Sequence, residues 1–213
     1  MATAQTAQTA PQSARRAPVQ ERSRRRVEAI LEATADLVLD RGVEAITTRE
    51  IAEAAGVPVA SLYQYFADKE GVLLALAERD MAEMDEQVVA DVARVAPTSV
   101  AVLVETVMRS FTTVYARRPA FVEIYLRGRT NTAVHAFGRA HNGRIARTLR
   151  EVAVDGGLAR ADLPEAAAVL AVEVGDRVFQ LAYEHDRTGD TALVEEGIVM
   201  MTAYLERYAE EPA

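Results

Sequence analysis

The sequence predicts an all-α protein, a small N-terminal unit of three helices followed by a larger helical unit. Three observations carry this. Apolar residues recur with helical period from about Ser23 to about Tyr208, no alternating run long enough for a half-buried strand interrupts them, and capping or turn residues punctuate the pattern at short intervals.

The stretch from Met1 to about Pro18 is rich in Ala, Gln and Thr and lacks the uninterrupted apolar run of a secretory signal. It reads as a disordered tail that continues, as a basic arm, to residue 22. In the first helix Val27, Ile30, Leu31, Thr34, Leu37 and Val38 share one face, and Gly42 supplies the C-terminal cap. Thr47-Thr48-Arg49-Glu50 is a capping box that opens a very short second helix, which Gly56 ends. Pro58 suits the first turn of a third helix running through Leu62 and Tyr65 to Phe66, and Asp68 caps a fourth. Farther on, an apolar stripe from Val100 to Tyr115 is closed by Arg118-Pro119. A short segment with Phe121, Ile124, Tyr125 and Leu126 follows, then a longer helix from about Thr132 to Gly156-Gly157.

The last two helices, from Pro164 and from Thr191, each carry two apolar rows where a surface helix needs one. Burying both rows requires a neighbour on each side, and a second copy of the chain is the economical one. The expected dimer interface is the row Ala168, Ala171, Val172, Gly175, Phe179 and Ala182 with Val194, Ile198, Met201 and Leu205, where Ala and Gly permit close helix contact. The other row holds Leu170, Val174, Val178 and Leu181 with Leu193, Gly197, Met200 and Tyr204, and which row meets the partner is open. Helices central to a monomer core would show the same pattern.

With 213 residues, 50% of them hydrophobic and 26% charged, the composition is that of a soluble globular protein, and no apolar run approaches a membrane span. The formal net charge of -8 argues against a nucleic-acid partner until its distribution is considered. Arg15 to Arg79 holds 10 basic against 11 acidic side chains, whereas the chain from Asp80 onward holds 14 against 21. Arg22, Arg24, Arg25 and Arg26 form a local basic cluster suited to a phosphate or minor-groove arm, a solvated helix start being the plain alternative. Cysteine is absent, so there is no disulfide framework or thiolate metal site, and a cytoplasmic location is expected. His135, His141 and His185 lack metal-ligand spacing, and no nucleophile elbow or phosphate loop occurs. No enzyme activity, cofactor or metal is expected. Glu173 and Arg177 are placed to pair across one helical turn.

Function concentrates between Thr47 and Leu74. Ile51 and Ala52 face the first helix, Ala55 is small where two helices cross, and Leu62 and Phe66 anchor the third helix from below. The opposite face presents Val59, Ala60, Ser61, Tyr63, Gln64 and Tyr65 near a helix N-terminus, as a helix-turn-helix does to a major groove about 12 Å wide. The run of Thr, a spaced Ile-Ala, Ala-Gly-Val, Leu-Tyr-x-Tyr-Phe and Lys-Glu resembles the TetR (AcrR-like) family of repressors, closely from Ser23 to Met84 and beyond that in helical layout only.

The resemblance implies a helix-turn-helix DNA-binding domain over 23–84, a ligand-binding and dimerisation domain over 85–213, and a homodimer joined by a four-helix bundle from the last two helices of each subunit. It further implies double-stranded operator DNA and a small-molecule effector as partners. Arg49 resembles a base- or phosphate-contacting position, and Val59, Ala60, Ser61 and Gln64 the recognition surface. Tyr63, Tyr65 and Lys69 resemble backbone clamps, and Arg24, Arg25, Arg26, Thr47 and Thr48 complete the DNA-facing set. The chain departs from the pattern at Pro58, where Ser or Thr is frequent, and at apolar Val59.

In the middle helices Met108, Phe111, Tyr115, Phe121, Tyr125, Phe137 and His141 are candidates to line an apolar ligand pocket, ordinary core packing being the alternative. Arg109, Thr112, Arg127 and Asn142 are candidate polar contacts. The expected function is a transcriptional repressor released from its operator by a ligand. A constitutive or architectural DNA-binding protein, or a helical enzyme with a vestigial helix-turn-helix, is the competing reading.

Overall fold

The computed structural model describes residues 13–128 and 131–210, with side chains from residue 21 onward. The first four helices are α1 (Ser13–Arg41), α2 (Thr48–Ala54), α3 (Val59–Leu62) and α4 (Lys69–Val95). The helix start expected at Ser23 is ten residues late: Ser13 to Arg22 are already helical, with Pro18 inside the stretch. The disorder expected through residue 22 is corrected for that stretch, and Met1 to Gln12 lie outside the described residues.

Capping follows the sequence closely. Thr47 accepts from the Glu50 amide while Glu50 reaches back to the Thr47 amide, and the Asp68 carboxylate accepts from Gly71 N at 2.8 Å. Gly42 and Gly56 take positive φ, 80° and 65°, at the two turns where an L side chain would be strained. Ile30, Leu31, Val38, Ile46, Ile51, Leu62 and Leu73 close one core beneath these helices. Thr34 shares that face without penalty because its hydroxyl donates to the Ile30 carbonyl at 2.7 Å.

Beyond lie α5 (Val100–Arg117), α6 (Pro119–Phe121) with a π-helical turn (Val122–Leu126), α7 (Thr132–Asp155), α8 (Glu165–Ala182) and α9 (Thr191–Leu205). Helix α4 packs on α5 and α7, α7 on α8, α8 on α9, and α9 back on α5, so the larger unit closes as a ring of helices. The boundary expected between residues 84 and 85 falls inside α4, which runs unbroken from beneath α1 into the larger unit. The two parts therefore share a helix.

An ion network ties α1 to the start of α6 across α4. Arg79 reaches Glu28 at 2.8 Å, Glu32, and Asp80 at 3.0 Å, while Arg118 holds Glu83 at 2.6 Å and lies 3.7 Å from Asp80. Asp80 is 1% exposed, and burial raises its pKa although both guanidinium groups oppose the shift.

The structure decides between the two rows of α8 and α9. The row expected at the dimer interface is turned inward: Ala168, Ala171, Gly175, Phe179, Ala182, Val194, Ile198 and Met201 are buried within one chain, and Val172 and Leu205 are half-buried beside them. The assignment is corrected because α8 lies between α7 and α9 and needs that row for the chain's own core. Leu170, Leu181, Leu193 and Met200 of the other row are 41–51% exposed, next to Val199 at 62%. In mid-row Val178 and Gly197 face one another, and a Cβ on Gly197 would sit 2.6 Å from Val178 Cγ1, so glycine sets the close approach of α8 and α9.

Candidate nucleic-acid interface and effector cavity

The helix-turn-helix face is assembled on the capped frame of α1 and α2. Val59, Ala60, Tyr63 and Gln64 are exposed, Ser61 half-buried, and Leu62 fully buried below them. Helix α3 is shorter than expected: regular α-helix ends at Leu62, and the chain continues to Phe66 through tighter turns such as Gln64 N to Ser61 O at 3.2 Å. Pro58 stands at the N-cap with ψ 140° and offers no side-chain oxygen, so the N-terminal amides of α3 gain no side-chain cap.

Tyr63, at 53% exposure, meets the Thr48 hydroxyl at 3.1 Å, which fixes its ring at the seam of α2 and α3. Arg49 is exposed at the start of α2. Thr47 is spent on the cap. Lys69 donates to the Val43 carbonyl at 3.1 Å and so holds the α1–α2 connection to α4. Tyr65 lies against Ser23 and Arg26, which hold its hydroxyl below the usual tyrosine pKa. Arg24, Arg25 and Arg26 are exposed on α1, with Arg25 paired to Glu21 at 3.1 Å. Arg49 on α2 and Ala60, Tyr63 and Gln64 on α3 and the turn after it are thus exposed, with Tyr63 bonded across to Thr48, whereas Lys69, Tyr65 and Thr47 have intramolecular partners.

A separate cavity of about 120 Å³ lies among α5, α7, α8 and α9. Met108, Phe111 and Tyr115 line it, as expected; Phe121, Tyr125, Phe137 and His141 do not. Phe121 and Tyr125 pack behind its aromatic wall, Phe121 stacked on Tyr115 at 5.9 Å. His141 turns away, its Nε2 meeting Asp85 Oδ1 of α4 at 2.8 Å. Phe137 packs beside His141 under the Arg144 guanidinium. Seven of the expected dimer residues, Ala168, Ala171, Val172, Gly175, Phe179, Met201 and Leu205, are cavity wall.

The polar lining is Asn142, Arg150 and Asp176. Asp176 accepts from Gln180 at 2.8 Å and from the Tyr125 hydroxyl at 3.2 Å, and burial raises its pKa. Asp176 is not among the ligand-binding residues expected from the sequence. Its signal was position, since an acidic residue directly after Gly175 stands beside the apolar row that became the cavity wall. The expected Glu173–Arg177 pair is also corrected: Arg177 donates to Gln180 at 3.1 Å, while Glu173 accepts from Asn142 at 3.5 Å. Arg109 pairs with Glu105 at 2.8 Å and, with Thr112, borders a second cleft beside the α8–α9 connection; Arg127 pairs with Glu123 at 3.3 Å. Among the described residues no group of three His, Asp or Glu side chains is arranged to hold a metal, and no helix is long and apolar enough to cross a membrane.

Comparison with known proteins agrees with both parts of this architecture. Residues 30–76 match the family described as bacterial regulatory proteins, tetR family, and residues 99–205 match the tetracyclin repressor-like C-terminal domain. The chain is 43% identical over 54 residues to the class A tetracycline repressor protein from transposon 1721 of Escherichia coli, a match spanning 25% of this chain and 25% of that relative's length. A TetR-family transcriptional regulator of Streptomyces coelicolor superposes with a TM-score of 0.70 at 28% identity, covering 86% of this chain and 99% of that one. The fatty acid degradation regulator FadR of Bacillus halodurans shares the fold at 18% identity and a TM-score of 0.66, covering 83% of this chain and 94% of that one. With a helix-turn-helix match at one end and a C-terminal match over half its length at the other, the chain belongs to the TetR family of bacterial regulatory proteins.

Proposed function

We propose that the protein is a homodimeric, sequence-specific DNA-binding repressor that acts in the cytoplasm and leaves its operator when a small molecule occupies the cavity. The observation that carries this reading is the open face of α2 and α3, where Arg49, Ala60, Tyr63 and Gln64 stand exposed on a frame fixed by a capping box and a buried Leu62. Gln64 offers the paired donor and acceptor that read adenine, Ala60 and Val59 offer methyl contacts to thymine, and Arg49 and Tyr63 offer phosphate or base contacts.

Two further features support the parts of the reading. The exposed Leu170, Leu181, Leu193 and Met200 form an apolar face on α8 and α9 suited to a second copy, which would set two recognition faces at a fixed spacing. Helix α4 is bonded to α7 through His141–Asp85 and to α5 through Ser110–Asp91, both at 2.8 Å, and continues into the DNA-binding unit; α5 and α7 carry cavity wall on other residues. A shift of α5 or α7 on ligand binding is thereby passed to α3 and changes that spacing. The test is a selection of random duplex DNA by the purified protein and by an Arg49→Ala, Tyr63→Ala double variant at one salt concentration. The reading expects a palindrome enriched by wild type alone; enrichment by neither protein overturns it.

A further inference from the structure

The effector cavity has a chemical bias that its family does not supply. Its wall is apolar and aromatic, with Phe111 stacked on Phe179 at 5.8 Å and the Met108 and Met201 sulfurs close to Gly175. One carboxylate, that of Asp176, borders this space. Among the described residues its hydrogen-bond partners are the Tyr125 hydroxyl, Gln180 and Asn142, all neutral; Glu173, one turn back on its own helix, adds charge of the same sign, and the adjacent Arg177 is exposed and donates to Gln180 at 3.1 Å. The other charged liner, Arg150, is turned to backbone: it donates to the Leu163 carbonyl at 2.7 Å and the Ala161 carbonyl at 3.4 Å. The cavity therefore presents an uncompensated acid and no free base. A half-buried carboxylate without a counter-ion carries a desolvation cost that a cation brought in by a ligand would offset, whereas an anionic ligand would add to it.

We propose that the effector is a small lipophilic cation, an ammonium or amidinium carried on an aromatic or aliphatic body, whose charge pairs with Asp176 while the body fills the space between Phe111, Phe179 and Met108. The proposal rests on the reading of this cavity as the effector site. A space of about 120 Å³ is close to the roughly 150 Å³ cavity known to take up benzene, so the bound body is of single-ring size unless the helices part. Ring contacts with the methionine sulfurs and the Phe111–Phe179 pair suit an aromatic ligand, and a cation lying near those ring faces gains further attraction.

The experiment titrates the full-length protein with three probes of one size: benzylammonium, benzyl alcohol and benzoate. Binding is read by calorimetry and by the methyl resonances of Met108 and Met201, which report occupancy of this cavity. Wild type is expected to prefer benzylammonium over benzyl alcohol by at least about tenfold and to reject benzoate, as desolvated charge pairs do. In Asp176→Asn, which keeps the size and the Tyr125 and Gln180 contacts, the preference is expected to fall to near parity. Benzyl alcohol or benzoate binding to wild type as tightly as benzylammonium overturns the charge assignment while leaving the cavity as effector site. Failure of all three probes to perturb the methionine methyls overturns the effector site as well. The comparison on wild type stands whether or not the variant folds.

Discussion

Gly138 is the position at which the packing around Asp176 can be tested by one methyl group. It sits in the middle of α7, where glycine costs about 1 kcal/mol relative to alanine, so Gly138→Ala ought to stabilise on propensity alone. The structure says otherwise. A Cβ at this position would lie 2.6 Å from the Tyr125 hydroxyl and 2.7 Å from its Cζ, with the ring buried on its other sides. Tyr125 would have to tilt away from α7, and its 3.2 Å hydrogen bond to Asp176 would break. Overpacking of this kind costs about 1–3 kcal/mol, and leaving the buried pair without its bond about 1–3 kcal/mol more. Less the propensity gain, the net loss is about 1–5 kcal/mol, which for a chain of this length lowers the melting temperature by roughly 2–20 °C. Gly143, on the same helix, supplies the control, since the nearest atom to its added Cβ is the end of the Arg147 side chain at 3.9 Å. Gly143→Ala is expected to stabilise by up to about 1 kcal/mol. Urea melts of both variants at one protein concentration decide the matter; equal stability of the two would refute the argument that glycine at 138 is required by the Tyr125 ring.

Other perturbations follow from the same structure. Arg118→Ala leaves Asp80 with Arg79 alone and removes the tie to Glu83, so a loss of about 1–3 kcal/mol is expected in thermal melts, less than for a fully buried pair because Arg118 is 32% exposed. Thr47→Ala removes the hydroxyl half of the α2 capping box and should cost about 0.5–2 kcal/mol, with weaker DNA binding as α2 frays. Leu170→Asp with Met200→Asp places charge on the exposed α8–α9 face, and sedimentation is expected to show monomers where wild type sediments as a dimer. The Asp176 carboxyl has a folded pKa above the ordinary 3.8. The folded state therefore holds the proton more tightly, and this group's contribution to stability falls as pH rises from about 3.8 through the folded value. Relative to wild type, Asp176→Asn should accordingly gain stability as pH rises above about 3.8, as measured by melts at a series of increasing pH values.

Helix ends were legible in the sequence because their signals are local. Thr47, Asp68, Gly42 and Gly156-Gly157 act within one turn of themselves, and the structure places helix ends at each. The backward extension of α1 was missed because a stretch without apolar periodicity leaves no stripe to read. The length of α3 was overestimated because apolar and aromatic spacing cannot separate an α-turn from the tighter turns between Ser61 and Phe66. For α8, the presence of two apolar rows was visible, but which one faces inward depends on α5, α7 and α9, whose placement is a tertiary property. The same holds for the sites: Arg49, Tyr63 and Gln64 share a short segment and could be grouped by eye. Arg118 and Glu32, or Tyr125 and Asp176, come from distant segments and meet only in the fold.

The account turns on the exposed face of α2 and α3 being the surface that touches DNA, and photo-crosslinking tests it directly. A benzophenone side chain is introduced singly at Ala60, at Gln64, or at Val89, which is 64% exposed on the outer part of α4, and each protein is irradiated with the selected palindromic duplex. The account predicts crosslinks from positions 60 and 64 and none from 89. Crosslinking from Val89 with silence at both α3 positions would contradict it.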